Sequence, residues 1–173
     1  MKIVLIGYMG SGKSVIGKAI SDKLKYLFKD LDSEIEKNEK KNIAAIFSEK
    51  GEIYFRKQEN AVLRSLLSKK DNMVVATGGG TPCYGTIMEY LTETENVVTV
   101  YLKASLVTLT ERLFSEKEKR PLISHLDTKE SLQDFIRKHL FERSYIYNQA
   151  DIIVSVDEKK VDEIVEELVL KLF

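Results

Sequence analysis

Only one cysteine occurs in the chain, Cys83, so no internal disulfide can form, and a reducing compartment, the cytoplasm, is the expected setting. Nothing near Cys83 in the sequence looks like a base that would activate it as a nucleophile. One cysteine and two histidines also supply too few soft ligands for a His/Cys zinc centre. Neither charge sign is in excess: Lys+Arg and Asp+Glu stand at 27 each, which argues against nucleic acid or a membrane surface as partner. No apolar run approaches membrane-spanning length. Repeats and low-complexity linkers are also missing, and 173 residues suit a single domain, 1–173, long enough to bury a good core. The apolar N-terminal segment is broken at once by Gly7, Gly10 and Ser11, so it is expected to form a strand rather than a signal peptide.

What the chain does have begins with Gly7-Tyr8-Met9-Gly10-Ser11-Gly12-Lys13-Ser14, which fits G-x-x-x-x-G-K-[ST] at every fixed position. Lys2–Ile6 before it reads as a buried parallel strand, and Val15–Leu24 after it has apolar residues at helical spacing. A strand, a glycine-rich turn and a helix N-terminus make an anion site of backbone N–H groups and dipole charge. Gly10 and Gly12 can take positive φ and let phosphate oxygens approach. Lys13 would reach the β- and γ-phosphates of a nucleotide, and the Ser14 hydroxyl would bind Mg²⁺.

Further strands are expected at 26–31, 73–77, 97–102 and 151–156, and helices at about 33–48, 52–69, 84–92, 105–114, 129–147 and 160–172. Strands alternating with helices predict an α/β fold, a parallel sheet covered on both faces, with ligands at the C-terminal ends of the strands. Asp30 and Asp32 fall where the second strand ends. Two apart on an extended segment, they would point to the same side, one helping to hold Mg²⁺ through water and the other accepting a substrate proton; the residues alone would read as a solvated Asp/Ser turn, but their position at a strand end beside a phosphate loop favours the site. Arg56 lies among apolar residues at a helix start, open to a structural ion pair with Glu59 or Glu52. Gly78-Gly79-Gly80 after a buried strand suggests close approach of a ligand or of another backbone, or a tight turn. Arg143 on a long helix has a solvated arginine as its usual reading. Ser115–Pro121 is polar, charged and stopped by proline, a mobile surface loop between two helices.

Taken in order, these segments resemble the shikimate kinase family from end to end. The phosphate loop Gly7–Ser14 is followed by Asp30-Leu31-Asp32 with Ile35-Glu36, by Gly51-Glu52 with Phe55-Arg56 and Glu59, and by Gly78-Gly79-Gly80. Arg120-Pro121-Leu122 and then Arg143 with Tyr147 and Ala150-Asp151 complete the set. Two departures stand out: Thr81-Pro82-Cys83 where a small residue and valine are more usual, and Val15 where threonine often follows the loop serine.

The resemblance implies a P-loop, three-layer α/β/α fold with a five-stranded parallel sheet, like that of nucleoside monophosphate kinases. It implies an enzyme, a phosphotransferase that uses ATP and Mg²⁺ to phosphorylate the 3-hydroxyl of shikimate on the route to chorismate and the aromatic amino acids. A monomer is usual in the family. Residues 33–60 would form the substrate-binding helices and 115–125 a lid. The nucleotide would be held by Gly10, Ser11, Gly12, Lys13, Ser14 and Val15, with Arg112 stacked on adenine. Shikimate's carboxylate would be gripped by Arg56 and Arg143 with the Gly79 N–H, between Gly78 and Gly80; its hydroxyls would be read by Asp32. Ser14, and Asp30 through water, would serve the metal, while Lys13 and Arg120 neutralise the transferring group. Another small-molecule P-loop kinase, such as a gluconate kinase, is the alternative; planar guanidinium forks suit a carboxylate, whereas a neutral polyol would leave two arginines unpaired. A nucleoside monophosphate acceptor would also use arginines and remains for a substrate panel to separate. A GTPase-type switch would want a guanine-reading Asn-Lys-x-Asp segment, which is absent.

Overall fold

The computed structural model describes residues 1–173. β1 (Lys2–Ile6) is buried along its whole length. Its side chains alternate: Ile3 and Leu5 enter one apolar core, Val4 and Ile6 another. A strand apolar on both faces needs helices above and below it, and that requirement sets the architecture. β3 (Met73–Ala76) and β4 (Val97–Lys103) flank β1, with β2 (Leu27–Asp30) and β5 (Ile152–Ser155) at the edges. The order is β2-β3-β1-β4-β5 and every pairing is parallel. This is the five-stranded parallel α/β arrangement that the alternation of elements predicts.

α1 (Lys13–Leu24), α5 (Leu106–Glu116) and α7 (Val161–Leu172) cover one face through Ile16, Ile20, Leu109, Leu113, Ile164 and Leu168. α2 (Leu31–Glu39), α3 (Ile43–Leu67) and α4 (Ile87–Glu93) cover the other through Leu31, Ile35, Ile46, Leu63 and Leu91. α6 (Lys129–Tyr147) belongs to both: Leu132 and Ile136 enter the first core and Tyr147 the second. It therefore passes over the C-terminal ends of β1 and β3, where Tyr8 and Gly79 meet it. No helix is long and apolar enough to cross a membrane.

Four expectations need correction. The single helix expected at 33–48 is two: α2 ends at Lys40, whose φ of 54° is left-handed, and α3 restarts where the Asn42 side chain caps the Ala45 N–H. α3 then continues past the expected break, kinked at Gly51, where φ is 80°. The helix expected at 84–92 is shortened to α4 by a 3-10 turn at Thr81–Cys83. The expected loop at 115–121 is largely turned: α5 runs to Glu116, a 3-10 turn spans Lys117–Lys119, and Ile123 is fully buried in the first core. The segment thus has an apolar anchor at its far end.

α1 lies close on the sheet at Gly17. A Cβ there would stand 2.7 Å from the Phe28 ring and 3.1 Å from Leu5. Gly17→Val should therefore separate α1 from β1 and β2, at a cost of about 1–3 kcal/mol of overpacking. Thermal unfolding should show a Tm about 3–10 °C lower; an unchanged Tm would mean the contact is slack.

Candidate functional site

The chain leaves β1 in a tight loop because Gly10 and Gly12 adopt φ of 80° and 95°, open to residues without Cβ. Gly12 caps α1 but brings no side chain to the task, and the first turn carries no acid. The first intrahelical bond runs from the Ile16 N–H to the Gly12 carbonyl, 2.9 Å. The N–H groups of Lys13, Ser14 and Val15 thus lack intrahelical acceptors and point the positive end of the helix dipole out of the loop. This is an anion site built from backbone.

Lys13 is buried, and its Nζ donates to the Gly7 and Tyr8 carbonyls at 2.7 and 2.9 Å. Burial lowers its pKa to about 8; Arg120 pushes the same way, and Asp32 and Asp30 oppose. The Ser11 hydroxyl beneath the loop is buried with no partner. Ser14 Oγ donates to Asp30 Oδ2 at 2.7 Å, while Asp30 Oδ1 caps α2 through the Ser33 N–H. A hydroxyl and a carboxylate in contact beside a phosphate site are hard oxygen donors of the kind Mg²⁺ takes while keeping its other places for water and phosphate. The donor set fits that ion in this way only, since no cluster of three or more His, Cys, Asp or Glu could hold a metal on its own.

Asp30 and Asp32 do face one cavity, but not because they alternate on a strand. Asp30 ends β2, the fully buried Leu31 opens α2, and Asp32 lies in the helix's first turn. Burial raises the Asp32 carboxyl to about pH 6, with Asp30 and Glu59 adding repulsion and Lys13 opposing.

The cavity holds about 510 Å³. Gly10, Gly12, Lys13, Ser14, Val15, Asp30, Asp32, Gly78, Gly79, Arg112 and Arg120 line it. Ser11, Gly80, Arg56 and Arg143 do not. Arg112 donates to the Gly10 carbonyl at 3.1 Å and so ties α5 to the loop. Arg120 pairs with Glu116 at 3.0 Å, and its Nε is buried without a partner.

Sequence reasoning missed Thr77, Glu116 and the group Lys159, Val161 and Ile164 beyond β5, all of which line the cavity. The signal for the last three was available: ligands collect at strand C-terminal ends, and β5 is a strand of this sheet.

Beyond Gly78 and Gly79, which form part of the cavity wall, stand the two remaining arginines. Gly79 is pressed against the phosphate loop, since a Cβ there would be 3.0 Å from the Met9 nitrogen. Arg56 lies beside Gly80, pairs with the buried Glu59 at 2.9 Å and approaches Glu52 at 3.6 Å. The structural ion pair is therefore real, yet Arg56 Nε remains buried with no partner. Glu59 is also bound by the Thr81 hydroxyl at 2.6 Å. Arg143, half-buried, sits over the Tyr8 ring at 5.9 Å and has no carboxylate partner. Both guanidiniums act on the thiol of Cys83, whose pKa burial nevertheless raises.

A phosphate loop with two arginines close behind it fits a kinase, and the relatives of this chain are kinases. The model of the family described as shikimate kinase matches residues 9–173. The shikimate kinase of Flavobacterium johnsoniae is 47% identical over 167 residues, 96% of either chain. The crystal structure of the shikimate kinase from Bacteroides thetaiotaomicron has a TM-score of 0.90 at 35% identity, covering 99% of this chain and 98% of that one. That of the Acinetobacter baumannii shikimate kinase, in complex with shikimate, has a TM-score of 0.85 at 29% identity, covering 99% and 92%. With its sequence matched almost throughout and its fold superposing over nearly every residue, this chain belongs to the shikimate kinase family.

Proposed function

We propose that this chain transfers the γ-phosphoryl group of ATP to the 3-hydroxyl of shikimate, on the route to chorismate and the aromatic amino acids, as a cytoplasmic monomer of one domain. The observation that carries the reading is the contact of Gly79 with the phosphate loop at Met9. It sets the donor's phosphates and the acceptor on either side of one backbone contact, as direct transfer requires.

In this reading Gly10–Val15 bind the triphosphate, with Ser11 among them, and Arg112 stacks on adenine. Arg56, Arg143 and the Gly79 N–H hold the shikimate carboxylate, with Gly78 and Gly80 shaping the wall and residues 33–60 carrying the acceptor side. Asp32 holds the 3-hydroxyl and takes its proton as the oxygen attacks. Lys13 and Arg120 neutralise charge on the transferring group, the main demand of this chemistry. Ser14, and Asp30 through water, would hold Mg²⁺, which when bound supplies further charge neutralisation. Support for these roles comes from the unpartnered donors at Ser11, Arg56 and Arg120 and from the lack of a carboxylate partner at Arg143.

ADP release measured with shikimate, quinate and gluconate tests the reading. Turnover is expected with shikimate far above the other two; preference for gluconate would overturn it. Arg143→Ala should raise shikimate KM about 100-fold or more with little change for ATP. Shikimate methyl ester should be poor for the wild type and lose little further in the variant. Arg56→Ala should act likewise but also lower Tm, because it strands the buried Glu59.

Asp32 must be ionised and Lys13 protonated, so kcat/KM should fall below about pH 6 and above about pH 8. The same shifts set stability. Asp32's carboxyl is raised in the fold, so its charge destabilises the free protein above about pH 6 and that penalty fades as pH falls toward 4. Lys13's pKa is lowered, so its charge destabilises below about pH 8 and the penalty fades as pH rises toward 10. Asp32→Asn should therefore abolish most turnover yet stabilise the free protein by about 1 kcal/mol or more at pH 7.5, the gain vanishing near pH 4. A destabilised Asp32→Asn protein at pH 7.5 would refute the stated electrostatics.

Residues 115–125 are proposed as a lid hinged on the buried Ile123, with the Arg120–Glu116 pair yielding to the nucleotide. Hydrogen exchange over 115–122 should be fast in the free protein and slow with a non-hydrolysable ATP analogue plus shikimate. Arg120→Ala should lower kcat about 100-fold or more with a smaller effect on shikimate KM. Equal protection in both states, or normal kcat, would remove the lid from the reaction.

A further inference from the structure

α6 carries His139, Arg143 and Tyr147 at intervals of four, one above another on a single helical face. The two outer members are each bonded to a different loop of the site. The Tyr147 hydroxyl donates to the Gly79 carbonyl at 2.6 Å, gripping the triple-glycine turn. His139 Nδ1 lies 2.8 Å from the hydroxyl of Tyr8, the second residue of the phosphate loop. Arg143, between them, rests over the Tyr8 ring and beside the Tyr147 hydroxyl, with no carboxylate of its own.

The Tyr8–His139 contact has the marks of a fixed joint. Tyr8 is fully buried, and burial keeps its hydroxyl protonated, with its pKa raised well above the ordinary phenol. His139 is held from the other side by the edge of Phe135, ring centroids 4.4 Å apart. Burial, and then the positive charge of Arg143, lower the His139 pKa, with Glu142 opposing, so the ring is neutral at neutral pH. A neutral imidazole and a neutral phenol each have both a donor and an acceptor to offer, and the bond between them spans 131 residues of chain.

We infer that His139 is a positioning residue for the acceptor side of the site: through the Tyr8 hydroxyl it pins α6 to the phosphate loop and so sets where the Arg143 guanidinium stands relative to the phosphates. A guanidinium recognises a carboxylate through a planar fork, and a misplaced fork loses binding steeply. Tyr147 sets the height of Arg143 above the glycine turn, and His139 sets its distance from the loop. This inference rests on the reading of Arg143 as an arm of the carboxylate clamp.

The test compares Tyr8→Phe, His139→Leu, the double variant, His139→Asn and Arg143→Ala for kcat, both KM values and Tm. Asparagine places a polar atom near the position of Nδ1 and can keep the bond to Tyr8, while leucine cannot. Tyr8→Phe and His139→Leu should each raise shikimate KM by about three- to tenfold, the range expected for one hydrogen bond, with ATP KM within about twofold. The double variant should be no worse than either single variant, since both break the same bond. His139→Asn should restore shikimate KM to near the wild-type value. A merely structural role would lower Tm without splitting the two KM values, and that result overturns the inference. So do additive effects of Tyr8→Phe and His139→Leu, or failure of His139→Asn to rescue. If Arg143→Ala itself leaves shikimate KM unchanged, the clamp reading has failed, and the inference falls with it. If Arg143→Ala raises KM while the Tyr8 and His139 variants do not, the clamp stands and only the positioning role is lost.

Discussion

The structure turns on a positive charge held where the protein alone does not fully balance it. Lys13 is buried under the phosphate loop on backbone carbonyls, and burial outweighs the two aspartates that favour its charge. The helix above it begins without a side-chain cap, adding partial positive charge to the same point. Opposite it, burial and neighbouring acids hold Asp32 against its own ionisation. Charges kept at a free-energy cost in the empty fold are what a phosphate and a hydroxyl can relieve, and such preorganisation accounts for much of catalysis by charge stabilisation. The rigidity needed to hold them comes from β1, buried end to end, and from the close seat of α1 at Gly17.

α6 joins this phosphate loop to the triple-glycine turn. A helix resting on one face of the sheet would touch the loops of that face only. Because Leu132 and Ile136 enter one core and Tyr147 the other, α6 crosses the ends of β1 and β3 and reaches both the phosphate loop and the triple glycine. The arginine it carries therefore stands in fixed relation to both loops. Arg56 reaches the same region from α3, braced by Glu59, which the Thr81 hydroxyl holds in turn. Thr81 belongs to the Thr81-Pro82-Cys83 run that departs from the usual family pattern, and here its hydroxyl holds the Glu59 that braces Arg56.

Much of the fold was legible in the residues. Apolar runs bounded by turn residues marked all five strands to within a residue or two, and α6 was placed at its observed ends, because a buried strand and an amphipathic helix write their periods into the sequence. The errors fell where local dihedrals or long-range packing decide. Lys40 in a left-handed conformation splits the helix expected at 33–48, and lysine carries no special preference for that region. Ile123 fell within the segment read as a lid because the short apolar pair Leu122-Ile123 has no period; only the presence of a core beneath it buries Ile123. Lys159, Val161 and Ile164 escaped notice because nothing in their own residues marks a ligand; only their place beyond the C-terminal end of β5 does.

By itself the sequence determined the backbone anion site, since the positive φ of Gly10 and Gly12 and the uncapped start of α1 are local properties of a contiguous segment. It likewise determined the layered α/β architecture, through strands that are apolar on both faces. Tertiary structure alone decided that Asp32 loses its solvent and rises toward pH 6, and that Gly79 touches the loop at Met9. It alone also brought His139 to Tyr8 across 131 residues. Charge burial and distances between segments far apart in the chain are properties of packing, and no window of sequence contains both partners.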